Sequence, residues 1–329
     1  MTGVESLEVD GDEADIRLDR WFRRHFPTLS HGRLEKLLRT GQVRVDGKRA
    51  QASLRLTPGQ QIRVPPLGDA PETAVKARPK PATGDKDAEF VRSLVIHRDA
   101  DVIAINKPPG LAVQGGTGTT RHLDAMLDAL RFDAKERPRL VHRLDRDTSG
   151  VLLLARNVKT AASLGEMFRG RDVRKVYWAL VVGVPDMARG KIDLAVAKKP
   201  GKHGERMEPD AEDGQRAVSV YSVVDRAGAR VSWLALWPLT GRTHQLRVHC
   251  AAMHTPIVGD AKYGGAEAFL PAEGVARKLH LHARELVLPH PSGRGMLRLK
   301  AELPPHMVAS WRVFGFANDT QGDPFADLA

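Results

Sequence analysis

Between Pro65 and Asp87 the chain reads PPLGDAPETAVKARPKPATGDKD, a stretch rich in Pro, Ala, Lys and Gly with almost no large apolar side chain. Such a segment cannot bury enough surface to join a core. It reads as a semi-extended linker over residues 66–89 and obliges the chain to fold as separate units on either side. The 329 residues give ample material for both. The predicted layout is an acidic leader over 1–15, a compact module over 16–65, the linker, a larger unit over 90–316 and a tail over 317–329.

In the first module Leu18, Trp21, Phe22 and Phe26 recur at helical spacing, with Arg20, Arg23 and Arg24 off that stripe. Ser30 is placed to cap a second helix that turns Leu34, Leu37 and Leu38 inward and Arg33, Lys36 and Arg39 outward, with Gly41 as its stop. Val43 to Val45, the Asp46-Gly47 turn and Lys48-Arg49, followed by Gln61 to Val64, predict a small hairpin-bearing sheet. The cations cluster on this module, and the chain as a whole carries 51 Lys and Arg against 40 Asp and Glu, a formal charge of +11. That balance favours a polyanion as partner over an acidic small molecule. An ordinary solvated basic face is the alternative.

Past the linker, Leu94 to Ile96, Val102 to Ile105, Val151 to Leu154 and Val176 to Val182 have strand character, whereas Leu123 to Leu130 and Ala161 to Phe168 suit helices. The fold class expected is α+β: a small module plus a larger unit built on a mixed, mostly antiparallel sheet with flanking helices and a central cleft. The segment Leu140-Val141-His142-Arg143-Leu144-Asp145-Arg146-Asp147-Thr148-Ser149-Gly150 takes an apolar run into a charged turn and back into the apolar run from Val151. Taken alone, Asp145 between Arg143 and Arg146 reads as a salt-bridged loop carboxylate as readily as a reactive one.

Two resemblances sharpen these readings. RLDRWFRRHFPTLSHGRLEKLLRTGQVRVDGKRA, completed by LTPGQQIRVP, is similar to an S4 RNA-binding domain, which implies that Arg33, Lys36, Arg39, Arg44, Lys48 and Arg49 engage RNA phosphates. HRLDRDTSG resembles the catalytic motif of RluA-family pseudouridine synthases. Asn106 to Val113, Lys175 to Leu180 and LTGRTHQLRVHCAAMHTPIVGDAKYG (Leu239 to Gly264) resemble the same family in the same order, and the likeness runs over about residues 92 to 304.

The RluA resemblance implies that Asp145 is the catalytic carboxylate, that Arg247 pairs with it, and that Tyr177 lies against the target base and takes the C5 proton. It also implies that Arg143 fills the stack left by a flipped uridine. Bland roles stand beside these: Tyr177 as a core aromatic, Arg143 as a brace for the turn. The Gly241-Arg242-Thr243-His244-Gln245 cluster is either a phosphate-contacting turn, through Arg242 and His244, or a structural lead into the next element.

The implied reaction breaks a C1′–N1 bond and rejoins the uracil through C5 without redox change, so no cofactor is expected. The aspartate acts by attacking C1′, by adding to C6 or by removing a ribose proton, and the residues do not choose among these routes. The loop from Val113 to Gly118 is closer to members that modify large-subunit ribosomal RNA than to transfer-RNA members, with Gln114 where histidine is common. A transfer-RNA enzyme, a non-catalytic ribosome-assembly factor and a small-molecule nucleosidase are the rivals.

The remaining expectations are exclusions. Gly115 to Gly118 lacks the lysine pattern of a P-loop, so no nucleotide cofactor is expected. His244, His249, His254, His280 and His282 come without a cysteine pair or a His-Glu-x-x-His pattern, so no metal is expected. One cysteine, Cys250, and no long apolar run fit a reducing cytoplasmic compartment with no membrane segment. The working unit is expected to be a monomer bound to RNA.

Overall fold

The computed structural model describes residues 3–13, 15–67, 84–115, 119, 121–170, 172–201, 204–319 and 322–326. The chain divides into two compact units, Met1–Ala82 and Thr83–Ala329. Among the described residues no helix is long and apolar enough to cross a membrane.

The first unit orders as β1 (Glu5–Glu8), α1 (Leu18–His25), α2 (His31–Arg39), β2 (Arg44–Val45), β3 (Lys48–Arg49) and β4 (Gln61–Val64). Both helices form as their apolar spacing predicts, with Leu18, Trp21, Phe22, Leu34, Leu37 and Leu38 in one core. Ser30 caps α2 by accepting from the Arg33 N–H. Asp46 (φ 49°) and Gly47 (φ 73°) make the tight turn between β2 and β3. The acidic leader is not separate from this unit, because Glu5–Glu8 pairs antiparallel with β4 and Val9 is buried. The Glu13 carboxylate is also buried, accepting from the Trp21 indole at 2.7 Å and meeting His25 at 2.6 Å. Strand pairing uses backbone groups, so the leader's poverty in apolar residues concealed it.

The second unit continues with α3 (Asp85–Ser93), β5 (Val95–Arg98), β6 (Val102–Lys107), α4 (Leu123–Met126), β7 (Arg139–Leu140), β8 (Ser149–Ala155), α5 (Val158–Arg169), β9 (Arg174–Val182) and β10 (Arg189–Asp193). Then come β11 (Val196–Gly201), β12 (Gly204–Pro209), β13 (Val218–Ala227), β14 (Val231–Pro238), α6 (Gln245–Ala252), β15 (Leu281–Pro289), β16 (Met296–Lys300) and α7 (Pro305–Phe314). The architecture is α+β, on a ten-stranded sheet whose main path runs β10-β13-β14-β9-β15-β8-β6-β5, with β16 on β15 and β7 on β8. Every named pair is antiparallel except β15 with β8.

Two boundaries shift from the predicted layout. Residues 85–89, assigned to the linker, begin α3, whose first-turn Asp85 and Asp87 suit a helix N-terminus and whose Val91 is buried. The assigned tail packs on the second unit: Phe325 is fully buried beside Trp237, and Asp323 pairs with Arg174. Residues 68–83 of the linker and Gly116 to Gly118 of the glycine-rich loop lie outside the described residues.

Candidate active site

Asp145 lies on the turn between β7 and β8, and three ties hold that turn. His142 Nε2 accepts the Leu153 N–H at 2.8 Å, and its ring stacks on Phe168 at 4.4 Å. Burial, with Lys175 nearby, pulls the imidazole down to about 3, so it is neutral with its proton on Nδ1. Lys107 is fully buried at the end of β6, and its ammonium donates to the carbonyls of Pro108, Leu111 and Arg146 at 2.9 to 3.0 Å. Burial lowers Lys107 to about 8 against the opposing pull of Asp147 and Asp145. Arg146, the neighbour of Asp145, also exchanges backbone and side-chain bonds with Gly110.

Register brings Tyr177 to the same place. Gly150 of β8 stands opposite Ala283 of β15, and Ala283 stands opposite Tyr177 of β9. A Cβ on Gly150 (φ 112°) would lie 2.2 Å from the Ala283 carbonyl oxygen, so only glycine permits this junction. Ser149 Oγ and His282 Nδ1 close it at 2.9 Å. Tyr177 faces the cleft that Asp145 lines, and burial together with the Asp145 charge pushes its phenol up, which keeps the hydroxyl protonated at rest.

The third wall is the turn into α6. Gln245 is buried with both amide atoms satisfied: its Oε1 accepts from Thr240 Oγ1 and the Arg242 N–H, while its Nε2 donates to the Val218 carbonyl and Ser219 Oγ. This half of the Gly241 to Gln245 cluster is therefore structural. His244 precedes the helix in a left-handed conformation (φ 54°), a backbone state that costs about 1–3 kcal/mol in a residue other than glycine. Its Nδ1 lies 2.6 Å from Tyr263 Oη and its Nε2 3.8 Å from Asp145 Oδ2.

Arg247 shares the cleft with Asp145, as expected, but is hydrogen-bonded to a second carboxylate. Its Nε and Nη2 are bound to the buried Asp260 at 2.8 and 2.7 Å, and no ion pair within 4 Å joins it to Asp145. Asp260 has almost no exposure and needs a full counter-charge, which takes both of those donors. Burial alone would lower the guanidinium, yet the Asp260 carboxylate, with the Asp145 charge adding to it, outweighs burial and raises it. Gly259 (φ 80°) makes the approach possible, since a Cβ there would sit 1.9 Å from the Lys278 carbonyl oxygen. Sequence reasoning assigned no part to Lys107, Asp260 or Tyr263. All three lie within Asn106 to Val113 and Leu239 to Gly264, the segments that carry the family resemblance, and that was the available signal.

Asp145, 22% exposed, stands where two hollows meet, one of ≈ 310 Å³ containing Tyr177 and one of ≈ 670 Å³. Arg143, Lys175 and Arg242 line the first, and Arg146, Lys262, Arg277 and Lys278 the second. Arg143 and Arg242 are exposed at the rim. In the N-terminal unit Lys36, Arg39, Lys48 and Arg49 are exposed on α2 and β3, while Arg44 donates to the Gly41 and Gly47 carbonyls and Arg33 to that of Leu67. The histidines of the second unit are dispersed: His249 bonds Ser219 and Leu194, His280 bonds Ser310 and Lys278, and His282 bonds Ala301. Among the described residues the one group close enough to hold a metal is Asp99, Asp101 and His290, which lines neither hollow. Its carboxylates are occupied by His97, His290 and Arg294.

A carboxylate and a phenol facing a cation-lined cleft over a large mixed sheet suit an enzyme that works on a polyanion, and similarity to known proteins narrows that class to RNA isomerases. Residues 101–252 match the family described as RNA pseudouridylate synthase. Mitochondrial RNA pseudouridine synthase 4 of Arabidopsis thaliana is 33% identical, over 95% of this chain and 82% of the relative. Ribosomal large subunit pseudouridine synthase C is 34% identical in Rickettsia conorii, over 88% of this chain and 94% of the relative, and 32% identical in Vibrio cholerae, over 93% and 95%. The solved structure of human RNA pseudouridylate synthase domain containing 4 matches with a TM-score of 0.60 at 30% identity, over 70% of this chain and 97% of that one. The chain belongs to the RNA pseudouridylate synthase family.

Proposed function

We propose that this enzyme converts uridine to pseudouridine at chosen positions of large-subunit ribosomal RNA, with Asp145 as the carboxylate that acts at the sugar–base junction. The observation that carries the reading is Asp145 at the meeting point of two hollows, with Tyr177 in one and cations along both. A uridine stacked in RNA does not reach such a carboxylate, so the nucleotide must be extruded at a cost of a few kcal/mol. Arg143 at the rim suits the vacated stack. The reaction cleaves C1′–N1, forms C1′–C5, releases the C5 proton and returns a proton to N1. A phenol protonated at rest is a poor acceptor for the C5 proton, which favours Tyr177 as a face for the base.

The relatives named for ribosomal large subunit support the substrate, and the likeness of the N-terminal unit to an S4 domain supports folded RNA as the ligand. A monomer is the working unit proposed. A ribosomal substrate supports the cytoplasm as the compartment in which the enzyme works.

The test uses an unmodified large-subunit ribosomal RNA transcript tritiated at uridine C5, which loses its label when C5 bonds to carbon. Wild-type protein should release tritium and Asp145→Asn none. Release by Asp145→Asn refutes the assignment of Asp145. Release from transfer RNA but not from ribosomal RNA refutes the substrate, and wild-type inactivity on every RNA alongside tight RNA binding points to an assembly factor.

A further inference from the structure

His244 carries a second set of contacts that the reaction as described does not use. The Met207 backbone N–H, on β12, donates to Tyr263 Oη at 3.3 Å and occupies one of its lone pairs. The phenol still holds its own hydrogen, and among the described residues His244 Nδ1, at 2.6 Å, is the acceptor within its reach. Tyr263 therefore donates to Nδ1, and the neutral imidazole carries its proton on Nε2. That N–H faces Asp145 Oδ2 at 3.8 Å, just beyond hydrogen-bond length. The left-handed backbone of His244 and the satisfied amide of Gln245 beside it hold the ring there.

The groups that face the ring are Asp145 from the β7–β8 turn, Arg247 from α6, and Asp260, Lys262 and Tyr263 from the turn after Gly259. Burial, the largest influence, lowers the imidazole, Asp145 and Asp260 oppose this, and Arg247 and Lys262 add to it. Neutral imidazole is the resting form.

We propose that His244, fixed as the Nε2–H tautomer by Tyr263, is a positioning residue that orients the Asp145 carboxylate when RNA fills the cleft. This rests on the reading of Asp145 as the catalytic group. It differs from a phosphate contact, because its effect falls on the chemical step and runs through Tyr263.

The experiment measures single-turnover tritium release at saturating transcript, with RNA affinity measured separately, for Tyr263→Phe, His244→Ala and the double variant. Losing a hydrogen bond to a charged group predicts a rate lowered about 100-fold in His244→Ala and about 10-fold in Tyr263→Phe, with affinity within about twofold. Because Tyr263 acts through His244, the double variant should be no slower than His244→Ala. The ¹⁵N resonances of His244 should report Nε2–H in the wild type and a mixture of tautomers in Tyr263→Phe, whose conservative change spares the fold. Wild-type rates in the single variants, an effect confined to affinity, additive losses, or an Nδ1–H resonance would each overturn the proposal. Activity in Asp145→Asn is a separate result, which removes the catalytic reading and this inference with it.

Discussion

The two units handle charge in opposite ways. In the N-terminal unit the cations stand outside an apolar core of Trp21, Phe22, Leu34 and Ile62, and the buried carboxylate of Glu13 is held by a tryptophan and a histidine. Burial would raise Glu13, but the hydrogen bonds from His25 and Trp21 outweigh it and hold the carboxyl below its usual range. The second unit brings charge inside: Lys107 is fully buried, and Arg247, Arg284 and Asp260 nearly so. An exposed cation can be deleted without leaving an orphan. A buried one cannot, because its partners lose water and counter-charge together. The first unit is therefore open to change in what it binds, and the second is constrained in how it folds and reacts.

The sharpest break of that contrast is Asp260→Ala. It strips the buried Arg247 guanidinium of its hydrogen-bonded counter-charge and frees the Lys262 and Tyr263 N–H groups that donate to Asp260 Oδ1. Destabilisation of about 3–5 kcal/mol is expected, which lowers the melting temperature of this unit by on the order of 10 °C. Replacing both partners by apolar residues, Arg247→Met with Asp260→Leu, should recover most of that stability and none of the activity. Calorimetry and tritium release on the same samples check this, and a single variant that melts with the wild type would show the pair is not buried in solution.

Lys107 sharpens the comparison through pH. Its folded value of about 8 lies below the ordinary 10.5, so between these the unfolded chain holds more protons and Lys107's own contribution to stability rises with pH. Activity should move the other way. A neutral amine has too few hydrogens for the Pro108, Leu111 and Arg146 carbonyls, and the turn carrying Asp145 loosens. The single-turnover rate is expected to fall above about pH 8. Lys107→Met, at neutral pH, should be slower by about 100-fold, the effect of an ångström of misplacement. Its profile should lack the alkaline limb, which separates the loss from any titration of the RNA. A limb that persists in Lys107→Met removes Lys107 from the explanation.

What was legible in the residues follows the same division. The helices and turn of the first unit were readable because their causes are local: apolar spacing in α1 and α2, Ser30 as cap, Asp46-Gly47 as turn. In the second unit the strands could be read, and the quoted motifs named Asp145 and Tyr177, but not what holds them. The bond of Arg247 to Asp260 could not be read, because that partner lies 13 residues on, past the end of α6. Lys107 reaches a carbonyl 39 residues away, and the Ser149–His282 bond that closes the β8–β15 junction spans 133. Periodicity reports which face of an element is buried, and carries no information on which distant polar group will satisfy another.

The smallest expected effect on folding comes from the exposed cations of the N-terminal unit, and it is the most direct test of the contrast. Lys36, Arg39 and Lys48 are exposed, and each substitution by alanine should change stability by no more than about 0.5 kcal/mol. If these side chains meet phosphates, each alanine should reduce the salt slope of RNA binding by about 0.9 and weaken affinity across sequences alike. The rate at saturating RNA should stay at the wild-type level if these side chains serve binding alone. Binding isotherms of the triple variant across a salt series decide the matter: an unchanged slope would make this basic face a solvated surface, and a fallen single-turnover rate would mean the two units do not divide binding from chemistry as their charges suggest.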